Sequence, residues 1–142
     1  MKRILVLVCM VLFLGTLVSA EYATADRFVN NKDGTVTDTK TDLMWADKDN
    51  GGDINWVNAK GYCEGYSGGG KSGWRMPTME ELLQLYNSSA YGSLIKRTGA
   101  YVWSSETSGS EAASIFSYSG NRSWDHQSSG SNNRALPVRS GK

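Results

Sequence analysis

Cysteine, proline and histidine are scarce in this chain: two, two and one residues in 142. Each scarcity excludes a class of chemistry. Zinc sites want several His or Cys ligands, and a single imidazole, His126, with Cys9 and Cys63 supplies no such set. A nucleophilic triad needs a base held beside its nucleophile; the one Gly-x-Ser-x-Gly run, Gly65 to Gly69, follows no expected strand and so makes no nucleophile elbow, and Cys63 on a buried helix face would not meet His126 in a late hairpin. Charge of one sign is also lacking. The formal net charge is +1, and beyond the N-terminus the only adjacent basic pair is Lys96-Arg97. That argues against a nucleic-acid or general polyanion binder. Long apolar runs are missing too, apart from one at the start.

That run is a targeting signal by pattern. Lys2 and Arg3 are followed by the apolar stretch Ile4 to Val18, and Val18-Ser19-Ala20 offers small residues for cleavage. The run is short for a bilayer span, and no basic stop-transfer cluster follows it. The expectation is a cleaved signal peptide over residues 1–20 and a single exported domain over residues 21–142, periplasmic or extracellular, with no membrane span after cleavage. Lys2 and Arg3 leave with the signal, so the formal charge moves from +1 to −1. Cys63 is then the lone thiol, without an intramolecular partner. Stability must come from the core, for which five tryptophans and seven tyrosines provide area.

The mature part reads as alternating short elements. Arg27 to Asn30 and Thr35 to Asp38 form strands around an Asp33-Gly34 turn. A further turn at 39–42 leads to the strand Leu43 to Ala46. The loop from Asp47 to Asp53 carries Asp47, Asp49, Asn50 and Asp53, oxygen ligands that suit calcium. However, Asn58 stands where an EF-hand loop needs its bidentate Glu, so the motif does not support calcium and no cofactor is expected. Asp53 reads as the N-cap of a helix over Ile54 to Gly65, with Trp56, Ala59 and Cys63 on one face. The Ser67 to Gly70 run reads as a flexible connector, because no strand precedes it and no Walker pattern follows.

Gly73-Trp74-Arg75-Met76-Pro77-Thr78-Met79-Glu80-Glu81 is the strongest local signal. Pro77 keeps Met76 extended, and Thr78 with Glu81 has capping-box spacing. A helix to about Asn87 follows, with Leu82, Leu83, Leu85 and Tyr86 as its apolar side. Leu94-Ile95 anchors the polar connector over 88–99. Strands are expected at Ala100 to Ser105 and Ala112 to Tyr118, with Ile115 and Ala113 inward. A turn at Gly120-Asn121 leads to a strand over Arg122 to His126, and Asn133 to Arg139 closes the domain.

Between Ser104 and Asn133 the chain is rich in serine and holds Tyr118, Asn121, Arg122, Trp124, Asp125, His126 and Asn133. Aromatics give contact area at low entropy cost, and small polar groups adapt their hydrogen bonds. Those seven residues are the candidate ligand-binding set. Trp103 reads as core, whereas Trp124, between Ser123 and Asp125, is open to either reading.

Several of these pieces recur together and in order. Asp33-Gly34-Thr35-Val36-Thr37-Asp38, Thr41-Asp42-Leu43-Met44-Trp45, Trp56 with Ala59 and Cys63, the 73–82 run, Val102-Trp103-Ser104-Ser105 and Pro137-Val138-Arg139 resemble the Lcl C-terminal domain family of bacterial collagen-like adhesins. The resemblance implies an α+β, C-type-lectin-like fold with two helices, mixed and mainly antiparallel sheets, the chain termini paired in one sheet, and a loop-rich second sheet bearing the ligand surface. The Trp-Arg-Met-Pro-Thr run is also similar to one in the formylglycine-generating, sulfatase-modifying enzymes, whose catalytic cysteine pair has no counterpart here. The late cysteine that many family members could pair with the helix cysteine is replaced by the Arg134 to Arg139 run, and the sugar-coordinating signatures of calcium-dependent lectins do not occur. The expected function is a non-catalytic, adhesin-like binding domain for a glycan or matrix polymer outside the cytoplasm. Two alternatives stay open: a protein–protein recognition module with a diversified surface, and, more remotely, a sulfatase-modifying type of enzyme. The oligomeric state is not legible.

Overall fold

The Asp33-Gly34 pair makes the first turn as its chemistry dictates. Gly34 adopts a φ of 88°, and Asp33 Oδ1 accepts from the Thr35 amide at 3.1 Å. A computed structural model describes residues 26–142; the expected signal peptide, residues 1–20, lies outside the described residues. Around the turn, β1 (Phe28–Asn30) and β2 (Thr35–Asp38) pair antiparallel, and β3 (Leu43–Ala46) adds to β2. The β2–β3 turn is organised by the buried Asp38 carboxylate. It accepts from the Lys40 amide at 3.0 Å, the Thr41 hydroxyl at 2.7 Å and the Arg27 guanidinium at 2.8 and 2.7 Å.

The first helix, α1 (Trp56–Glu64), starts later than expected. Its N-cap is Asn55, whose Oδ1 accepts from the Asn58 amide at 2.9 Å. Asp53 does not cap it but forms an ion pair with Arg134 at 2.7 Å. The cause is Ile54, which is held outside the helix at both ends of its peptide: its amide donates to Asn133 O at 3.2 Å, and its carbonyl accepts from Trp103 Nε1 at 2.8 Å. The preceding loop is also committed. Asp49 accepts from the Thr98 amide and hydroxyl at 2.6 and 2.7 Å and from the Gly51 amide at 2.9 Å. The Ser67 to Gly70 run, read as a flexible connector, instead forms a single 3₁₀ turn, closed by Gly70 N–H on Ser67 O at 3.0 Å.

The second helix, α2 (Met79–Tyr86), begins with the expected capping box. The Glu81 amide donates to Thr78 Oγ1 at 3.2 Å, and the Thr78 amide donates to Glu81 Oε2 at 2.9 Å. The same carboxylate takes the Arg75 guanidinium at 2.9 and 2.7 Å. Arg75 in turn exchanges backbone hydrogen bonds with Val138, and Pro77 O accepts from the Ser105 amide at 2.8 Å.

Four strands make the second sheet: β4 (Tyr101–Ser108), β5 (Glu111–Phe116), β6 (Arg122–His126) and β7 (Asn133–Arg134), in the order β6-β5-β4-β7. Only β4–β7 is parallel. The last strand, β8 (Val138–Ser140), leaves this sheet and pairs with β3, giving β1-β2-β3-β8. The expected single closing strand is thus two, split by the buried Ala135 to Pro137 and belonging to different sheets. The first and last strands share a sheet without pairing to each other. Strand β5 runs from Glu111 to Phe116 and does not reach Tyr118.

The second sheet is covered on both sides. Trp103 and Ala112 pack with Ala59 and Cys63 of α1 on one face, while Val102, Ala113 and Ile115 pack with Leu82 and Leu85 of α2 on the other. Ala112 to Ile115 are therefore all buried, where simple alternation would expose half of them. Over the described residues the architecture is α+β, with two α-helices and two sheets, mixed and antiparallel. Among the described residues no helix is long and apolar enough to cross a membrane.

Burial pushes the Glu81 and Asp38 carboxyls up, but hydrogen bonds from Arg75 and Thr78, and from Arg27, Thr41 and Lys40, outweigh it and hold both below their ordinary values. Such groups bind protons more tightly in the unfolded chain, so their stabilisation is complete above the unfolded carboxylate range and is lost as pH falls through the folded values. Thermal stability is expected to drop below about pH 4, and Glu81→Gln to lower stability at neutral pH while flattening that acid limb. Melting temperatures of both proteins between neutral pH and strong acid check this.

Candidate functional site

Strand β6 is an edge of the second sheet, and its five residues alternate in exposure. Arg122, Trp124 and His126 face one way and lie opposite Ile115, Ala113 and Glu111 of β5. Trp124 is 38 % exposed because its cross-strand partner is an alanine, too small to cover an indole. Arg122 forms an ion pair with Glu106 of β4 at 3.2 Å. Since β5 lies between those strands, the pair spans it and holds the guanidinium along the sheet. His126 Nδ1 lies 2.7 Å from Ser128 Oγ. Asp125, on the reverse face, is half-buried.

The β5–β6 turn carries Tyr118 and Asn121. It is fastened to α2 by the Tyr86 hydroxyl, which donates to Tyr118 O at 3.0 Å. Gly120, with a φ of 74°, makes the turn, and a Cβ there would come within 2.6 Å of the Tyr86 ring. Tyr118 is 67 % exposed. Its ring ends a row, Tyr101–Phe116–Tyr118, with centroids 5.0 and 5.5 Å apart. The Arg97 guanidinium stacks over Tyr118 at 4.9 Å, near enough for a cation–π contact, and also donates to Ser117 O.

Six of the seven residues expected from the sequence thus share one hairpin: Tyr118, Asn121, Arg122, Trp124, Asp125 and His126. Asn133 does not join them. It is 1 % exposed and sits on β7, at the opposite edge of the sheet, where its backbone carbonyl holds Ile54 and its Nδ2 donates to Ser131 O at 3.3 Å. Arg97, Glu106, Tyr101 and Phe116 were not legible as part of this surface. Only the period of two in β4 and β5 hinted at the last two. The hairpin carries both charge signs and aromatic rings, which suits directional recognition rather than binding of one charge.

Catalytic features are sparse. Cys63 is fully buried, and burial, then the Glu64 charge, pushes its thiol up to about 12, so it is not a thiolate near neutrality. Glu80 and Glu81, adjacent in sequence, are engaged by Gln84 and by Arg75 with Thr78. Among the described residues no group of three or more His, Cys, Asp or Glu is placed to hold a metal ion.

Residues 34–139 match the family model described as the Lcl C-terminal domain. That span covers most of the chain, from the first turn to the last strand. No curated protein matches the chain.

Two outcomes follow from these placements. Trp103→Ala is expected to cost about 3–5 kcal/mol as a fully buried large-to-small change, while Trp124→Ala stays within about 1 kcal/mol; urea unfolding of both variants checks the contrast. Cys63 is expected to resist a disulfide reagent in the folded protein and to react once denaturant is added, as read by thiol titration.

Proposed function

The chain belongs to the Lcl C-terminal domain family, which makes it an adhesin-like domain, and from there we propose that it is exported and binds a glycan or matrix polymer through its β5–β6 hairpin. The observation that carries the reading is Trp124: an indole left open on an edge strand, flanked on the same face by Arg122 and His126. Its ring offers a face to sugar C–H groups. Arg122, oriented by Glu106, and His126 offer hydrogen bonds to hydroxyl or acidic substituents. Tyr118, stacked under Arg97, extends the surface around the turn. In this reading the domain acts without catalysis: Cys63 is buried and protonated, and the adjacent Glu80 and Glu81 are engaged by Gln84, Arg75 and Thr78.

A protein ligand is the second reading, favoured by β6 being a sheet edge. An extended peptide could add to such an edge, with side chains seated against alternate residues. Charged residues along β6 restrain indiscriminate pairing, which is consistent with selective use. A sulfatase-modifying activity would have only the buried Cys63 to rest on among the described residues.

The test is a glycan array probed with residues 21–142, with and without chelator and at two salt concentrations. Saturable binding insensitive to chelator is expected, lost in Trp124→Ala and weakened in Arg122→Ala, with both variants folded. A blank array from folded protein would reject the glycan reading and turn attention to a pull-down from the cell envelope. N-terminal sequencing of the exported product should begin at Glu21.

A further inference from the structure

We infer that the groove between the end of α1 and the 67–70 turn is a subsite for an uncharged sugar ring, separate from the β5–β6 hairpin. The groove has a volume of about 580 Å³, and its walls include Asp33, Tyr62, Tyr66, Gly68 and Gly69. It is built from α1 and the β1–β2 turn of the first sheet, so it shares no element with β6.

The inner ring of its aromatic wall, Tyr66, is set in place before any ligand arrives. Tyr66 meets Trp74 edge-on at 4.8 Å and 90°, and its hydroxyl donates to Gly34 O at 3.2 Å. Tyr62 lies beside it, with ring centroids 6.3 Å apart and planes inclined by 38°. Tyr62 remains 38 % exposed, and its hydroxyl makes no hydrogen bond among the described residues. A ring already fixed, as Tyr66 is by Trp74 and Gly34, reduces the ordering cost of binding.

The polar wall is Asp33. Its Oδ1 takes both the Thr35 amide at 3.1 Å and the Thr35 hydroxyl at 2.5 Å, so the carboxylate is oriented through one oxygen. Oδ2 accepts no hydrogen bond from the described residues. The glycines leave room for both walls: a Cβ on Gly68 would stand 2.4 Å from the Tyr66 ring, and one on Gly69 would stand 2.9 Å from Asp33 Oδ2. An open ring face beside an oriented acceptor matches a pyranose, whose C–H groups pack on the ring while its hydroxyls donate to the carboxylate. No lysine or arginine lines the groove, and Asp33 repels anions. The subsite therefore selects against sulfated and uronic sugars, in contrast to the arginine-bearing hairpin.

Titration of the ¹⁵N-labelled protein with cellotriose, maltotriose, chitotriose and a heparin hexasaccharide, followed by amide chemical shifts, tests this. At least one uncharged trisaccharide is expected to shift Asp33 and residues 61–69. Tyr62→Ala and Asp33→Asn should each weaken that binding roughly tenfold, and Trp124→Ala should leave it unchanged. Asp33→Asn keeps an acceptor for Thr35, and each variant's own spectrum verifies its fold. The proposal is overturned if no uncharged probe moves those amides, if heparin moves them as strongly, or if Tyr62→Ala binds as tightly as the parent. Shifts confined to 118–126 and abolished by Trp124→Ala would support the hairpin site alone and reject this one.

Discussion

The Glu81 carboxylate is the point on which both sheets and one helix converge. With one oxygen it closes the capping box on Thr78, and with both it grips the Arg75 guanidinium. Arg75 is bonded through its backbone to Val138 of the first sheet, and Pro77 accepts from Ser105 of the second. A partly buried carboxylate is costly to desolvate, and here several donors offset that cost. The start of α2 is thereby fixed relative to both sheets, and α2 in turn supports the inner face of β5. Arg134 makes a second junction, joining Asp53 to Thr98 and β7.

Helices on both faces of one sheet explain how this domain holds an exposed hairpin with no disulfide among the described residues. The middle strands β4 and β5 are buried on both sides, and two alanines, Ala112 and Ala113, let the helices approach. Strand β6 lies beyond the helices' reach. Its turn is nonetheless held to α2 by Tyr86, so an exposed hairpin is carried on a rigid base. The aromatic groove beside α1 has the same logic: its outer ring is open, and its inner ring is locked against Trp74.

Much of this was legible in the sequence where local chemistry decides structure. The Asp33-Gly34 turn, the Thr78–Glu81 cap and the strand over Arg122 to His126 all depend on residues close in sequence. The misread positions depend on distant ones. Asp53 has ideal N-cap chemistry, yet Ile54 is claimed by Asn133 and Trp103, and the helix waits for Asn55. Asn133 has the composition of a surface recognition residue but pairs in β7 beside β4, a parallel contact that no local pattern announces. Ala112 to Ile115 violate alternation because a second helix covers the face that alternation would leave wet. The 67–70 run looks like a linker by composition, whereas its place against Tyr66 and Asp33 comes only from the fold.

The pairing of Trp124 with Ala113 separates two kinds of inheritance in this chain. Folding information resides in the inward residues of β4 and β5 and in the capped helix, while the outward residues of β6 add little to the core. Exchanges at Arg122, Trp124 and His126 can therefore accumulate without a compensating change elsewhere. A lineage of such domains would keep one scaffold while its exposed edge strand drifts faster than the frame that presents it.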